Sequence, residues 1–346
     1  MEYPIFEIEH LDIWGRTGRE EDSLMVFFTG SGIELNVKAK ELFVTIEAAF
    51  CEYELWADIL IEGELSQRFP LLEGTHTYQV FRGFDGEKEV NVRIFRDTQV
   101  MAEEERSVFR ICSLKTDGEF LPVKKHEYLL EVIGDSITSG EGCGVSKREE
   151  LVSAIFDAIH SYPYLLAEHL DAKYQVMSLS GWGLVASWDG DEQNSIPGYY
   201  NQICGMMRSC ERCKKAGAHS EWDFEAHQPD AVIINLGTND GSAMSSRPEK
   251  WTLEEYVTLF KEKAVRFLKN IREKNRKSRI VWAYGMLGNV MEEDIKEAIK
   301  TYQKETGDAK VFCLALPDCG NRKGVREHPD REAHREAAEI LERFLQ

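Results

Sequence analysis

The chain has 346 residues with 61 acidic and 42 basic side chains, a formal net charge of −19 and an apolar share of 42%. That length is long for one domain and supplies enough apolar side chains for two cores. The acidity argues against nucleic acid and an anionic membrane surface as partners, since both are polyanions, and no run approaches the roughly 18 apolar residues of a membrane-spanning helix. Residues 1–10 show no cationic region followed by an apolar core, so a cytoplasmic location is expected. The 8 cysteines fit reduced, scattered thiols better than a disulfide framework.

Up to about Lys124 the chain reads as short, partly alternating, β-rich segments at 41–48, 56–62, 77–82 and 90–96, separated by turn clusters such as 84–87. Strands at this spacing without intervening helices predict an antiparallel β-sandwich over residues 1–124. From Lys125 onward apolar strands alternate with helical segments. Residues 128–133 form the first apolar strand, and Gly134 and Gly140 permit a sharp turn that leaves Ser136 at its carboxyl end. The segment Ser178-Leu179-Ser180-Gly181-Trp182-Gly183 ends a second apolar run, and residues 187–194 read as a polar, turn-rich loop.

Cys204, Cys210, Cys213 and His219 then fall close together, and Cys210-Glu211-Arg212-Cys213 has zinc-like spacing. A second such pair is absent, so reduced loop cysteines are the expectation rather than a metal site. A β-branched strand beginning at Ala231 ends in Asn235-Leu236-Gly237-Thr238-Asn239-Asp240-Gly241. Thr252 and Glu255 make a capping box before Val257, Phe260, Ala264, Phe267, Leu268 and Ile271 at helical spacing. Residues 279–284 and 310–315 supply two further strands, with a helix near 292–302 between them. His328-Pro329 opens the last helix, with Pro329 expected in its first turn. Five strands with intervening helices predict a flavodoxin-like α/β/α domain with a parallel sheet over 125–346.

The segments around Ser136, Gly181, Asn239 and His328, in that order, resemble the blocks of the SGNH (GDSL) hydrolase superfamily over about residues 125–346. The resemblance implies Ser136 as nucleophile and His328 as its base. It also implies an oxyanion hole made by the Ser136 and Gly181 N–H groups and the Asn239 amide. An activated hydroxyl, a base within reach and fixed donors aimed at the developing oxyanion are what acyl transfer needs, and neither metal nor cofactor is expected. In most members an aspartate precedes the histidine by two or three residues, where this chain has Arg326 and Val325. Either a backbone carbonyl orients His328, the preferred reading, or a carboxylate such as Glu327 or Asp330 substitutes. His334, inside the last helix, competes for the role of base but reads as a solvated or packing residue.

A sandwich fused to an SGNH domain looks like carbohydrate esterase family 2 (CE2), whose members remove acetyl groups from plant polysaccharides and sugars. The jelly-roll-like accessory domain, the Ser180–Val185 stretch and the missing aspartate carry this second resemblance. It implies a serine esterase acting on acetylated xylo- or manno-type sugars or oligosaccharides. Asp135, Trp182 and Trp188 are candidate substrate-binding residues, since either indole can stack on a pyranose face or pack in the core. With no leader in evidence, imported oligosaccharides or monosaccharides are the expected substrates. An SGNH lipase or acyl-thioesterase is the rival enzyme, and a catalytically silent carbohydrate-binding protein the rival of another class.

Overall fold

Along Glu41–Phe50 the side chains of Leu42, Val44, Ile46 and Ala48 are buried while those between them are partly exposed, the period of two expected of a strand with one apolar face. The computed structural model describes residues 1–83, 85–144, 147–246 and 249–346, in two units. One comprises Met1–Lys125 with Gln202–Trp222, the other His126–Asn201 with Asp223–Gln346.

The first unit is built on strands β1 (Glu2–Pro4), β2 (Asp12–Trp14), β3 (Thr17–Glu20), β4 (Ser23–Val26), β5 (Gly32–Ala39) and β6 (Glu41–Phe50). They are followed by β7 (Trp56–Ile61), β8 (Glu64–Pro70), β9 (Gly74–Arg82), β10 (Lys88–Arg96), β11 (Ser107–Thr116) and β12 (Glu119–Leu121). Two 6-stranded antiparallel sheets result, ordered β3-β4-β11-β6-β9 with β1 on β11, and β12-β5-β10-β7-β8 with β2 on β5. Val44, Ile46, Phe109 and Ile111 of one sheet share an apolar cluster with Ile33, Leu35, Ile59 and Ile94 of the other. The four segments expected from sequence fall on β6, β7, β9 and β10. Within the expected turn 84–87, Phe84 lies outside the described residues.

Residues 202–222, assigned from sequence to the second domain, pack instead with the sandwich. The Arg19 N–H donates to the Ala216 carbonyl (3.1 Å) and the Arg16 guanidinium to the Gln202 carbonyl (2.7 Å). In the short helix Glu211–Lys215, Arg212 holds Glu20 through Nε and Nη2 (2.9 and 2.8 Å) and also reaches Glu47 (2.9 Å). Cys210 caps that helix, its sulfur accepting the Cys213 N–H at 3.3 Å, while the Cys213 thiol donates to the Ser107 carbonyl and His219 Nε2 bonds the Met207 carbonyl. Among the described residues no group of three or more His, Cys, Asp or Glu is arranged to hold a metal ion.

The second unit carries a 5-stranded parallel sheet of β13 (Tyr128–Gly134), β14 (Ala172–Ser178), β15 (Ala231–Asn235), β16 (Arg279–Tyr284) and β17 (Val311–Ala315). The order β14-β13-β15-β16-β17 is that of a flavodoxin-like sheet, in which the direction of winding reverses beside the first strand. The helices Tyr162–His169 and Arg331–Leu345 pack on each other, as do Leu253–Lys274 and Glu292–Thr306. The expected capping box is present, Thr252 and Glu255 each bonding the other's backbone N–H. None of the described helices is long and apolar enough to cross a membrane.

The hydrogen bonds from Arg212 hold the Glu20 and Glu47 carboxyls below the usual carboxylate range. Such groups stabilise the fold above their unfolded pKa and lose that contribution as pH falls through the depressed folded value. Arg212→Ala is expected to cost about 1–2 kcal/mol near neutral pH after allowance for solvent screening. The difference should shrink below about pH 4. Thermal unfolding against pH, with hydrogen exchange on residues 17–20 and 202–222, measures both effects; an unchanged stability would show that the pairs contribute nothing.

Candidate active site

Parallel pairing sets Gly134 of β13 opposite Ser178 of β14 and Asn235 of β15, so three adjacent strands end level. The loops leaving them carry Ser136, Gly181 and Asn239, at the strand ends and beside the reversal of winding where open α/β sheets bind ligands. His328 arrives from the far end of the chain, and its Nε2 lies 2.8 Å from Ser136 Oγ. Its Nδ1 lies 2.9 Å from the Arg326 carbonyl oxygen. A carbonyl can only accept, so Nδ1 carries the proton and Nε2 is left to accept from the serine hydroxyl.

The Arg326 carbonyl therefore stands where the family's aspartate would. Glu327 pairs with Lys323 at 2.8 Å, and Asp330 Oδ1 caps the last helix by accepting the Glu332 and Ala333 N–H groups at 3.0 Å each, so neither carboxylate orients the imidazole. Arg326 and Glu327 both adopt left-handed backbone, φ 53° and 59°, which costs a non-glycine residue about 1–2 kcal/mol each. The Gly324 N–H donating to the His328 carbonyl (2.8 Å) helps close this turn. Pro329 precedes the Asp330 cap instead of lying in the first helical turn, because the capping carboxylate sets the helix start at Arg331. Gly142 backs the histidine: a Cβ there, at φ +92°, would fall 2.7 Å from His328 Cβ.

His334 is fully buried and accepts the Tyr162 N–H at its Nδ1 (3.0 Å). Burial pushes its pKa down to about 3, so it is a neutral packing residue rather than a base.

Gly181 takes φ +80°, and a Cβ there would lie 3.0 Å from Trp188 Cδ1, so the turn and the close indole both call for glycine. Among the described residues the N–H groups of Ser136 and Gly181 donate to no protein acceptor. The Asn239 amide is engaged already, its Nδ2 lying 3.0 Å from the Trp182 carbonyl and 3.2 Å from Asp135 Oδ2.

Two of the expected substrate-binding residues are buried. The Asp135 carboxyl is buried, accepting the Ile137 N–H (3.0 Å) through Oδ1 and holding Asn239 through Oδ2, so both its oxygens are engaged within the protein. Trp182 is only 5% exposed, with its ring 5.4 Å from that of Tyr199, and contributes its carbonyl to Asn239. Trp188 is 57% exposed against Gly181 and remains an open aromatic face.

Sequence reasoning missed Glu141 altogether. Its carboxylate is buried, accepts from Ser180 Oγ at 2.6 Å and lies 3.9 Å from His328 Nε2. Its place between Gly140 and Gly142 in the turn was the only signal, and any turn glutamate would give the same one.

With this geometry in view, a profile described as the GDSL-like Lipase/Acylhydrolase family matches residues 132–346. The chain belongs to this family. A similar curated relative is an acetylxylan esterase / glucomannan deacetylase from Cellvibrio japonicus (strain Ueda107), 28% identical over 303 residues, covering 86% of this chain and 76% of the relative. Among solved structures, an acetyl xylan esterase from the rumen bacterium Butyrivibrio proteoclasticus is 32% identical, with a TM-score of 0.95 over 100% of this chain and 97% of that one. A family two carbohydrate esterase from Cellvibrio japonicus, at 22% identity, shares the fold with a TM-score of 0.83 over 100% and 96% of the two chains. This GDSL-family chain thus has the two-part fold of the family two carbohydrate esterases.

Burial raises the Asp135 carboxyl from 3.8 to about 7, with the nearby Asp240 and Glu141 charges pushing the same way. A folded pKa raised in this way leaves the native state fully favoured below the unfolded value and weakened as pH rises through the folded one. Asp135→Asn keeps the shape and an acceptor for Ile137. Relative to the unsubstituted protein it should gain about 2–3 kcal/mol between about pH 5 and pH 8. Thermal unfolding at the two pH values checks this; a difference independent of pH would show that the carboxyl titrates alike in both states.

Proposed function

We propose that this protein is a serine esterase that removes O-acetyl groups from acetylated sugars or oligosaccharides of xylo or manno type. The observation that carries the reading is the Ser136–His328 hydrogen bond, with His328 fixed from behind by the Arg326 carbonyl. Ser136 Oγ attacks the acetyl carbonyl as its proton passes to His328 Nε2, and the Ser136 and Gly181 N–H groups receive the oxyanion. The Asn239 amide joins them by turning one N–H from its present acceptor. The imidazolium protonates the departing sugar oxygen, leaving an acetyl-serine; the same histidine then takes a proton from a water that attacks the acetyl carbon and returns it to Ser136 Oγ as acetate leaves.

The acetyl and sugar specificity is supported by the relatives, named as an acetylxylan esterase / glucomannan deacetylase and an acetyl xylan esterase. Trp188, exposed beside the Gly181 donor, offers a flat apolar face of the kind on which a pyranose stacks.

Acetate release from 4-nitrophenyl acetate and from acetylated xylo- and manno-oligosaccharides should fall by about 10³-fold or more in Ser136→Ala and in His328→Ala. Acetyl esters should also react faster than octanoyl esters. Activity retained in Ser136→Ala overturns the mechanism, and a preference for octanoyl esters replaces the sugar deacetylase with a lipase.

A further inference from the structure

We propose that Glu141 is the positioning residue that supplies the acidic partner of His328, on the Nε2 side of the ring instead of the usual Nδ1 side. This rests on the reading of Ser136 and His328 as nucleophile and base. On the Nδ1 side the imidazole meets only the neutral Arg326 carbonyl. A proton taken from Ser136 creates an imidazolium, and a carboxylate within about 4–6 Å of a cation favours the charged form. Glu141 Oε2 is 3.9 Å from Nε2 with its side chain 4% exposed, so water screens the attraction weakly.

The carboxylate is held from three sides of the site. Its backbone N–H donates to the Ser136 carbonyl at 3.0 Å, which seats it in the nucleophile's own turn. Ser180, next to the oxyanion donor Gly181, donates to Oε2 at 2.6 Å, and Arg326 Nη1 donates to Oε1 at 3.2 Å. Arg326 therefore acts twice, orienting the imidazole through its carbonyl and the carboxylate through its guanidinium. Oε2, the oxygen away from Arg326, is the one nearest His328.

Several other charged and titratable groups near His328 among the described residues have partners of their own. The Asp135 carboxylate faces Asn239, Asp330 caps the last helix, and Glu327 pairs with Lys323. Arg331 is spent on Asp157, and His334 is buried and neutral. Among the described residues, Glu141 supplies a carboxylate oxygen 3.9 Å from His328 Nε2.

The experiment is the pH profile of kcat/KM, whose acidic limb reports the base in the free enzyme. In Glu141→Gln the imidazolium loses its partner while the Arg326 charge remains. The plateau should then drop about tenfold, and the acidic limb should move to lower pH by on the order of one unit. Glu141→Asp, which keeps the charge, should hold the limb above that of Glu141→Gln. Arg326→Met leaves the backbone carbonyl in place and the carboxylate unneutralised, so its limb should move to higher pH. If Glu141→Gln fails to fold, Arg326→Met decides, an unmoved limb overturning the proposal. If Ser136→Ala is inactive and Glu141→Gln leaves limb and plateau unchanged, the role of Glu141 is wrong and the dyad stands. If Ser136→Ala stays active, the dyad itself fails.

Discussion

Everything at the candidate site depends on the register of three parallel strands. Hydrogen bonding fixes Gly134, Ser178 and Asn235 side by side, and parallel pairing makes all three loops leave from the same edge. Ser136 follows its strand by two residues, Gly181 by three and Asn239 by four. Those short leads limit how far Gly181 and Asn239 can stray from Ser136. A one-residue slip in either ladder would carry a donor away and turn buried side chains of β13 toward the wrong face. All five residues of β15, Ala231–Asn235, are buried, so the strand contributes apolar burial on both faces of the sheet.

Buried carboxylates then organise what the strands deliver. Asp135 holds the Asn239 amide, and Asp240 accepts the Leu184 and Val185 N–H groups at 2.8 and 2.7 Å, fastening the chain just beyond Gly181. Glu141 ties the Ser136 turn to Ser180 and Arg326. A buried anion without donors is destabilising by several kcal/mol, so each persists because amides, hydroxyls or a guanidinium face it. Their cost is bound up with preorganisation: under the proposed mechanism, donors held by buried carboxyl groups do not have to be gathered when the oxyanion forms. The left-handed turn at Arg326 and Glu327 belongs to the same arrangement, since it aims a carbonyl at His328 that an ordinary helical turn would keep for itself.

Some features were legible from residues alone because their signals are local. The apolar runs of β13 and β15, the Thr252–Glu255 capping box and the glycine-flanked turn at Ser136 follow from near neighbours in sequence. In the sandwich, β11 went unread although it joins β4, β6 and β1, because a register shift between Ile111 and Ser113 interrupts its alternation. Strand β8 is largely exposed, and β1 and β2 span three residues each, so none offers an apolar period to detect. Residues 202–222 escaped for another reason: Arg212 finds Glu20 and Glu47, partners far away along the chain.

By itself the sequence determined the fold class, the family and the four segments that bring Ser136, Gly181, Asn239 and His328 forward, because periodicity, glycine placement and motif order are written in neighbouring residues. Only the tertiary structure decided what orients His328, which of Asp135, Trp182 and Trp188 faces outward, and where residues 202–222 pack. Those outcomes depend on pairings across tens to hundreds of residues, such as Arg326 with Glu141, 185 positions apart. Side chains of the same type have the same local signature whether they end against a histidine, an amide or water. Burial and the donors that burial demands choose among them, and neither exists until the chain has folded.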